Sequence, residues 1–75
     1  MMRAKINLVT LSDAAEFTNI CSQYDEQIEV KVKDGKGNIV NAKSLMGMIY
    51  SLEFSEMWCE SNADIYLDIR KFVVE

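Results

Sequence analysis

The pattern of hydrophobic and polar residues divides this chain into segments of period two and segments of helical period. Near the start, Ile6 and Leu8 alternate with Lys5 and Asn7. This alternation predicts a strand over residues 3–9 with one buried face. The chain therefore opens with a strand, and a different periodicity follows it.

Residues 27–33 carry the clearest strand pattern in the chain. Apolar and charged side chains alternate there, with Ile28, Val30 and Val32 against Glu29, Lys31 and Lys33. The segment 34–38 that follows contains two glycines and predicts a hairpin turn. Residues 39–41 then form the short return strand, and 54–60 are predicted as a fourth strand.

Helical spacing of hydrophobic residues predicts three helices between and after these strands. Thr10 and Asp13 fit the capping pattern that begins a helix, which ends at Asp25-Glu26. Ser44 precedes the second helix, and Asn62 or Asp64 caps the third. The residues predicted to face the core are Ala14, Phe17, Thr18, Cys21 and Tyr24 in the first helix, Leu45, Met48, Ile49 and Leu52 in the second, and Ile65, Ile69, Phe72 and Val73 in the third. Trp58, in the fourth strand, is predicted to cover the core.

The element order is βαββαβα, within the single domain 1–75. A sheet that is hydrophobic on one face only is closed by helices laid on that face. We therefore predict an α+β fold, a two-layer α/β sandwich of four antiparallel strands and three helices.

The charge and composition of the chain argue against nucleic-acid and membrane partners. The chain has 12 acidic and 8 basic residues and a formal net charge of −4. Its basic residues are spread along the sequence, as at Arg3, Lys31, Lys33, Lys36 and Lys43, whereas nucleic-acid binding needs clustered cations. We expect no nucleic-acid partner. No apolar segment is long enough to cross a membrane, and no signal-peptide pattern is seen, so a cytoplasmic location without membrane association is expected.

The chemistry-bearing residues do not form a catalytic or metal-binding pattern. The chain has no histidine, no glycine-rich phosphate loop and no pair of nucleophile and base. Cys21 and Cys59 are too few and too far apart for a zinc site or a disulfide framework, and they are predicted to be small buried apolar side chains. We expect a protein that is not an enzyme and binds no cofactor or metal.

Two sequence blocks resemble the histidine-containing phosphocarrier protein (HPr) of the sugar phosphotransferase system. The blocks are Ser22-Gln23-Tyr24-Asp25 and Asn41-Ala42-Lys43-Ser44-Leu45-Met46-Gly47-Met48. In HPr, the first helix ends in a similar Ser-x-Tyr/Phe-Asp, and a Lys-Ser-aliphatic-Met-Gly-aliphatic stretch opens the second helix. The resemblance covers most of the chain and implies the same fold that periodicity predicts.

The residues on which HPr phosphotransfer depends are missing. Alignment on the first block places Thr10 where HPr has its phosphorylated histidine, and Ser12 where it has an arginine that clamps the phosphoryl group. Leu11 stands at the small-residue position and Asp13 at the usual proline, so a carboxylate is added where an anion binds. The resemblance thus implies a relative that is not competent as a phosphocarrier.

A second HPr site, the serine that opens the second helix, is kept. In many Gram-positive bacteria, an ATP-dependent kinase phosphorylates that serine, which signals to a transcriptional regulator. Ser44 matches it, and Leu45, Met46 and Ile49 match the exposed apolar docking patch beside it. For Leu45 and Ile49 the two arguments disagree: the resemblance predicts that they are exposed, and the helical spacing predicts that they face the core.

Two functions stay open on the sequence alone. The chain is either a regulatory binding module phosphorylated on Ser44, with HPr kinase, a transcriptional regulator or other phosphotransferase-system proteins as partners, or an HPr-fold interaction or oligomerisation domain without phosphorylation. Basic residues near Ser44 would favour the first function, and the sequence offers Lys43 and Arg3.

Overall fold

The computed structural model describes residues 1–74 and has the predicted element order. Four strands and three α-helices follow one another, and a 3₁₀ turn at Arg70–Phe72 extends the last helix. The bounds are β1 Met2–Ile6, α1 Leu11–Ser22, β2 Val30–Lys33, β3 Ile39–Asn41, α2 Leu45–Ser51, β4 Met57–Ser61 and α3 Tyr66–Ile69. The predicted βαββαβα order and the α+β class are therefore confirmed.

The strands form one antiparallel sheet in the order β1-β4-β2-β3. The last strand in sequence thus lies between β1 and β2, and β3 is an edge strand. Buried residues alternate with exposed ones along β1 and with half-buried ones along β4, because successive side chains of a strand point to opposite faces. The helices cover one face of the sheet and leave the other open.

The core lies between the inner face of the sheet and the helices. Phe17 of α1 and Phe72 pack edge to face with ring centroids 5.5 Å apart, an arrangement that aromatic pairs favour. Met48 and Ile69 contribute fully buried side chains from α2 and α3. Cys21 and Cys59 are both buried and free, as predicted.

Several predicted boundaries were wrong because the flanking backbone makes other hydrogen bonds. Ile28 N–H donates to the Asp25 carbonyl and Glu29 N–H donates to Asn62 Oδ1, so β2 begins only at Val30. Phe54 N–H donates to the Ser51 carbonyl at the end of α2, which delays β4 to Met57.

Ends in the first strand and the first helix also differ from the prediction, whereas β3 covers the predicted residues 39–41. The first strand covers Met2–Ile6 rather than 3–9, and α1 ends at Ser22. The prediction that Asn62 or Asp64 caps the third helix was wrong: the N-cap is Ile65, without a side-chain cap, and Asp64 Oδ1 accepts from Tyr66 N–H at 3.1 Å in the turn before it.

The hairpin 34–38 forms as its glycines predict. Gly35 and Gly37 have φ of 79° and 104°, a region that favours glycine. Asp34 Oδ1 accepts from the N–H groups of Lys36 and Asn38 at 2.7 and 3.1 Å. This turn fixes the register that places Lys33 opposite Ile39.

Candidate functional site

The start of α1 is closed by a reciprocal cap. Thr10 Oγ1 accepts from Asp13 N–H at 3.0 Å, and Asp13 Oδ2 accepts from the N–H groups of Val9 and Thr10 at 2.9 and 3.2 Å. The predicted capping pattern is confirmed. These backbone hydrogen bonds, chiefly that from Val9, hold the pKa of Asp13 below its ordinary value. An ionised carboxylate thus closes the start of α1.

The residues beside this cap are apolar or neutral. Val9 and Leu11 are exposed hydrophobic side chains on either side of Thr10, and Ser12 is exposed in the first turn. Neither Ser12 nor Leu11 carries the positive charge that would clamp a phosphoryl group. The start of α1 offers a hydroxyl and a carboxylate in place of an imidazole and a guanidinium.

The start of α2 is prepared by a turn over residues 41–44. Asn41 Oδ1 accepts from Lys43 N–H at 2.9 Å, and Ser44 N–H donates to the Asn41 carbonyl at 3.0 Å. Ser44 Oγ then accepts from Gly47 N–H at 3.1 Å as the N-cap of the helix. Ser44 is half-buried, and it lies where the sequence placed it.

Gly47 lets this first turn approach β3 closely. A Cβ at Gly47 would lie 3.3 Å from the Asn41 carbonyl oxygen and 3.3 Å from Val40 Cβ. Such contacts are tighter than a side chain tolerates without a shift of its neighbours. The glycine of the Lys-Ser-Leu-Met-Gly block therefore has a packing role in this fold.

The outward surface of α2 is apolar. The exposed fractions are 48% for Leu45, 83% for Met46, 42% for Ile49 and 56% for Tyr50. The helical spacing that predicted Leu45 and Ile49 in the core was wrong, because α2 has only seven residues, packs against α1 and the edge strand β3, and buries only Met48 and Ser51. We call Leu45, Met46, Ile49 and Tyr50 the α2 apolar surface.

Lys43 is the cation nearest to Ser44 in sequence, but its side chain is engaged elsewhere. Its Nζ donates to the carbonyls of Tyr24 and Asp25, at 3.3 and 2.9 Å. The ammonium thus binds the carbonyl groups that follow α1. A phosphate on Ser44 would have to compete for it.

Arg3, the other cation considered for Ser44, lies on the open face of the sheet. It forms an ion pair with Glu60 at 3.0 Å and stacks on Trp58. That face is turned away from the helices, so the expectation that Arg3 could serve Ser44 was wrong. Trp58 lies on the same open face, so the prediction that it covers the core was also wrong.

The cap at Thr10 and the start of α2 lie at opposite ends of α1. Ser22 Oγ donates to the Lys43 carbonyl at 3.4 Å, which joins the end of α1 to the start of α2. Thr10 caps the other end of this 12-residue helix, about 18 Å away at 1.5 Å per residue. Ser44 and the cap at Thr10 are therefore separate sites.

The fold and these two helix starts were compared with known proteins. No family model, no curated protein sequence and no solved structure matches the chain significantly. Within residues 1–74, no helix is long and apolar enough to cross a bilayer. The likeness to HPr rests on the two sequence blocks and the element order alone.

Proposed function

We propose that this chain is an HPr-like regulatory module that binds a protein partner through the α2 apolar surface, is phosphorylated on Ser44, and does not relay phosphoryl groups. The α2 apolar surface carries the proposal: four exposed hydrophobic side chains on one short helix, directly after a serine. Methionine adapts to differently shaped partners, and Met46 is the most exposed of the four.

The loss of relay chemistry is supported by the start of α1. Phosphate on Thr10 would be a stable ester, and Thr10 Oγ1 and the Asp13 carboxylate already engage each other's backbone N–H groups. No histidine occurs anywhere in the sequence. The module therefore acts by binding.

Phosphorylation of Ser44 is compatible with the fold. A phosphate adds a charge of about −1.5 to −2, and a helix N-terminus stabilises an anion by roughly 0.3–1 kcal/mol. The serine is half-buried rather than enclosed. The modification would place this charge beside Leu45 and Met46, where it alters partner choice without unfolding the domain.

The test is incubation with an HPr kinase and ATP, followed by intact-mass measurement. One phosphate is expected on the wild type and none on Ser44→Asn. Asparagine is as good an N-cap as serine, so this variant removes the hydroxyl and keeps the helix. Ser55→Asn is the matched control and should be modified normally. A second incubation with phosphoenolpyruvate and enzyme I should leave the chain unmodified.

A second function is favoured by the engagement of Lys43. Its ammonium binds the Tyr24 and Asp25 carbonyls, so the cation nearest to Ser44 in sequence is not held ready for a phosphate, which is compatible with an interaction domain without phosphorylation. In that case the kinase adds nothing, and binding through the α2 apolar surface remains. Loss of partner binding in Met46→Asp, with no phosphate on the wild type, would select this second function.

A further inference from the structure

The open face of the sheet gathers half of the basic residues of the chain. Arg3 and Lys5 lie on β1, and Lys31 and Lys33 lie on β2. Between them, β4 presents Trp58 and Glu60. We call the six residues the basic sheet face.

Strand register explains the arrangement. Trp58 is paired with Lys5 on one side and Lys33 on the other, and Glu60 is paired with Arg3 and Lys31. All six residues point to the same face, because they stand at alternate positions of adjacent strands. Four cations therefore surround one tryptophan and one carboxylate.

Nearby carboxylates neutralise only part of the positive charge on this face. Glu60 contacts Arg3 Nε at 3.0 Å and Lys33 Nζ at 2.8 Å, and these cations, Lys33 first, keep the pKa of Glu60 low. Lys31 lies 3.7 Å from the exposed Glu29. Lys5 forms no ion pair within residues 1–74, and its ammonium lies 5.7 Å from the Trp58 ring centre.

The rest of the molecule has the opposite charge. Glu29 and Glu56 border the basic sheet face, where Glu56 accepts from Trp58 Nε1 at 2.6 Å. With these two and Glu60 set aside, the other four basic residues stand among nine acidic ones. The positive charge of an acidic protein is thus concentrated on the one face that no helix covers.

We propose that the basic sheet face binds an acidic segment of a partner protein, independently of the α2 apolar surface. The occupant is chosen by charge complementarity: its carboxylates bind Lys5, which has no ion pair within residues 1–74, and compete with Glu29 for Lys31 and with Glu60 for Arg3. Such faces raise the rate and specificity of association with a partner of opposite charge.

Two contacts favour a peptide over a single-stranded nucleic acid. The Arg3 guanidinium already lies over the Trp58 ring, 4.0 Å from its centre, so a base would have to displace it before stacking. The Glu60 carboxylate lies in the middle of the four cations and repels any anion brought to it, but a peptide also carries backbone N–H donors that can face it, and a phosphate backbone has none.

Trp58 is the only tryptophan of the chain, so its fluorescence reports on this face alone. The experiment titrates the protein with a peptide of ten glutamates, and in parallel with a peptide of ten lysines and a ten-nucleotide single-stranded DNA. We expect a saturable change with the glutamate peptide only. The affinity should fall as salt is raised, since exposed ion pairs are screened.

Variants locate the site. The triple variant Lys5→Gln/Lys31→Gln/Lys33→Gln should weaken glutamate-peptide binding by about tenfold, as expected when several exposed ion pairs are lost together. The control Lys36→Gln/Arg70→Gln/Lys71→Gln makes the same change in net charge away from the sheet face and should bind as the wild type does. An unchanged thermal transition in both variants shows that the fold is intact.

Three results would overturn the proposal. The first is no saturable signal with the glutamate peptide, and the second is equal weakening in the control variant. The third is saturation by the DNA in place of the peptide, which would assign the face to nucleic acid. None of these outcomes depends on Ser44 or on the α2 apolar surface.

Discussion

Thr10 and Asp13 exchange two hydrogen bonds at the start of α1, each side chain accepting from the other residue's backbone N–H. The exchange satisfies N–H groups that a helix start otherwise leaves free. These are also the groups that would receive an anion. In this chain the first turn is therefore stabilised by an internal carboxylate.

The first prediction concerns the pH dependence of stability. Because the folded-state pKa of Asp13 lies below the ordinary 3.8, its contribution to stability is present above that pH and is lost as the pH falls through the folded value. Asp13→Asn should lower the free energy of unfolding at pH 7 and flatten its decline in acid. Urea unfolding at a series of pH values measures both.

Glu53→Gln is the control for this effect, because it removes a carboxylate from an exposed turn. It should leave the acid limb of the stability curve as in the wild type. An acid limb of the same slope in Asp13→Asn and the wild type would contradict the assignment.

The second prediction separates the two methionines of α2. Met48 is fully buried and Met46 is 83% exposed, so Met48→Ala should lower the free energy of unfolding by about 2–5 kcal/mol. Met46→Ala should change it by less than about 0.5 kcal/mol. Chemical unfolding of both variants tests the orientation of the helix, and equal losses would show that it is wrong.

The third prediction concerns the ring pair in the core. Phe17→Leu and Phe72→Leu each remove one partner of the edge-to-face contact. A double-mutant cycle should give a coupling free energy of about 0.5–1.5 kcal/mol, the usual value for such pairs. Additive single losses would mean that the rings contribute by burial alone.

The fourth prediction concerns the thiols. Burial raises the pKa of Cys21 and of Cys59 to about 12, so at pH 8 only about one thiol in ten thousand is ionised. Since the thiolate is the nucleophile, a disulfide reagent should react far more slowly with the folded protein than with free cysteine. Both thiols should react at once in concentrated guanidinium chloride. Fast reaction of either one in the folded protein would place it at the surface.

Local signals in the sequence were enough to predict the helices, strands and turns of the fold. The features that were not predicted depend on contacts between segments that are distant in the sequence. The capping box at Thr10 and the glycines of the 34–38 turn act within a few residues, and both are confirmed. The exposure of Leu45 and Ile49 was not predicted, because the spacing of hydrophobic residues shows that a helix forms but not how much of its surface other elements cover. Only the short length of α2 and its place over the edge strand decide that.

The charge on the sheet was missed for a similar reason. Lys31 and Lys33 alternate with valines, and Arg3 and Lys5 alternate with apolar residues. In each strand taken alone, this pattern predicts only that one side of the strand is exposed to solvent. The insertion of β4 between β1 and β2 brings these strands to either side of Trp58. Pairing between residues 57 positions apart, such as Arg3 and Glu60, leaves no local trace in the sequence.

A molecule with four cations on the open face of its sheet and most of its carboxylates elsewhere has an electric dipole moment. In dilute buffer, such a dipole turns the molecule before contact, because the field of a charged partner extends over roughly one Debye length, about 10 Å at 0.1 M salt. An acidic partner would therefore meet the open face of the sheet first. Because the helices cover only the other face of the sheet, the fold itself determines which side of the molecule an acidic partner contacts first.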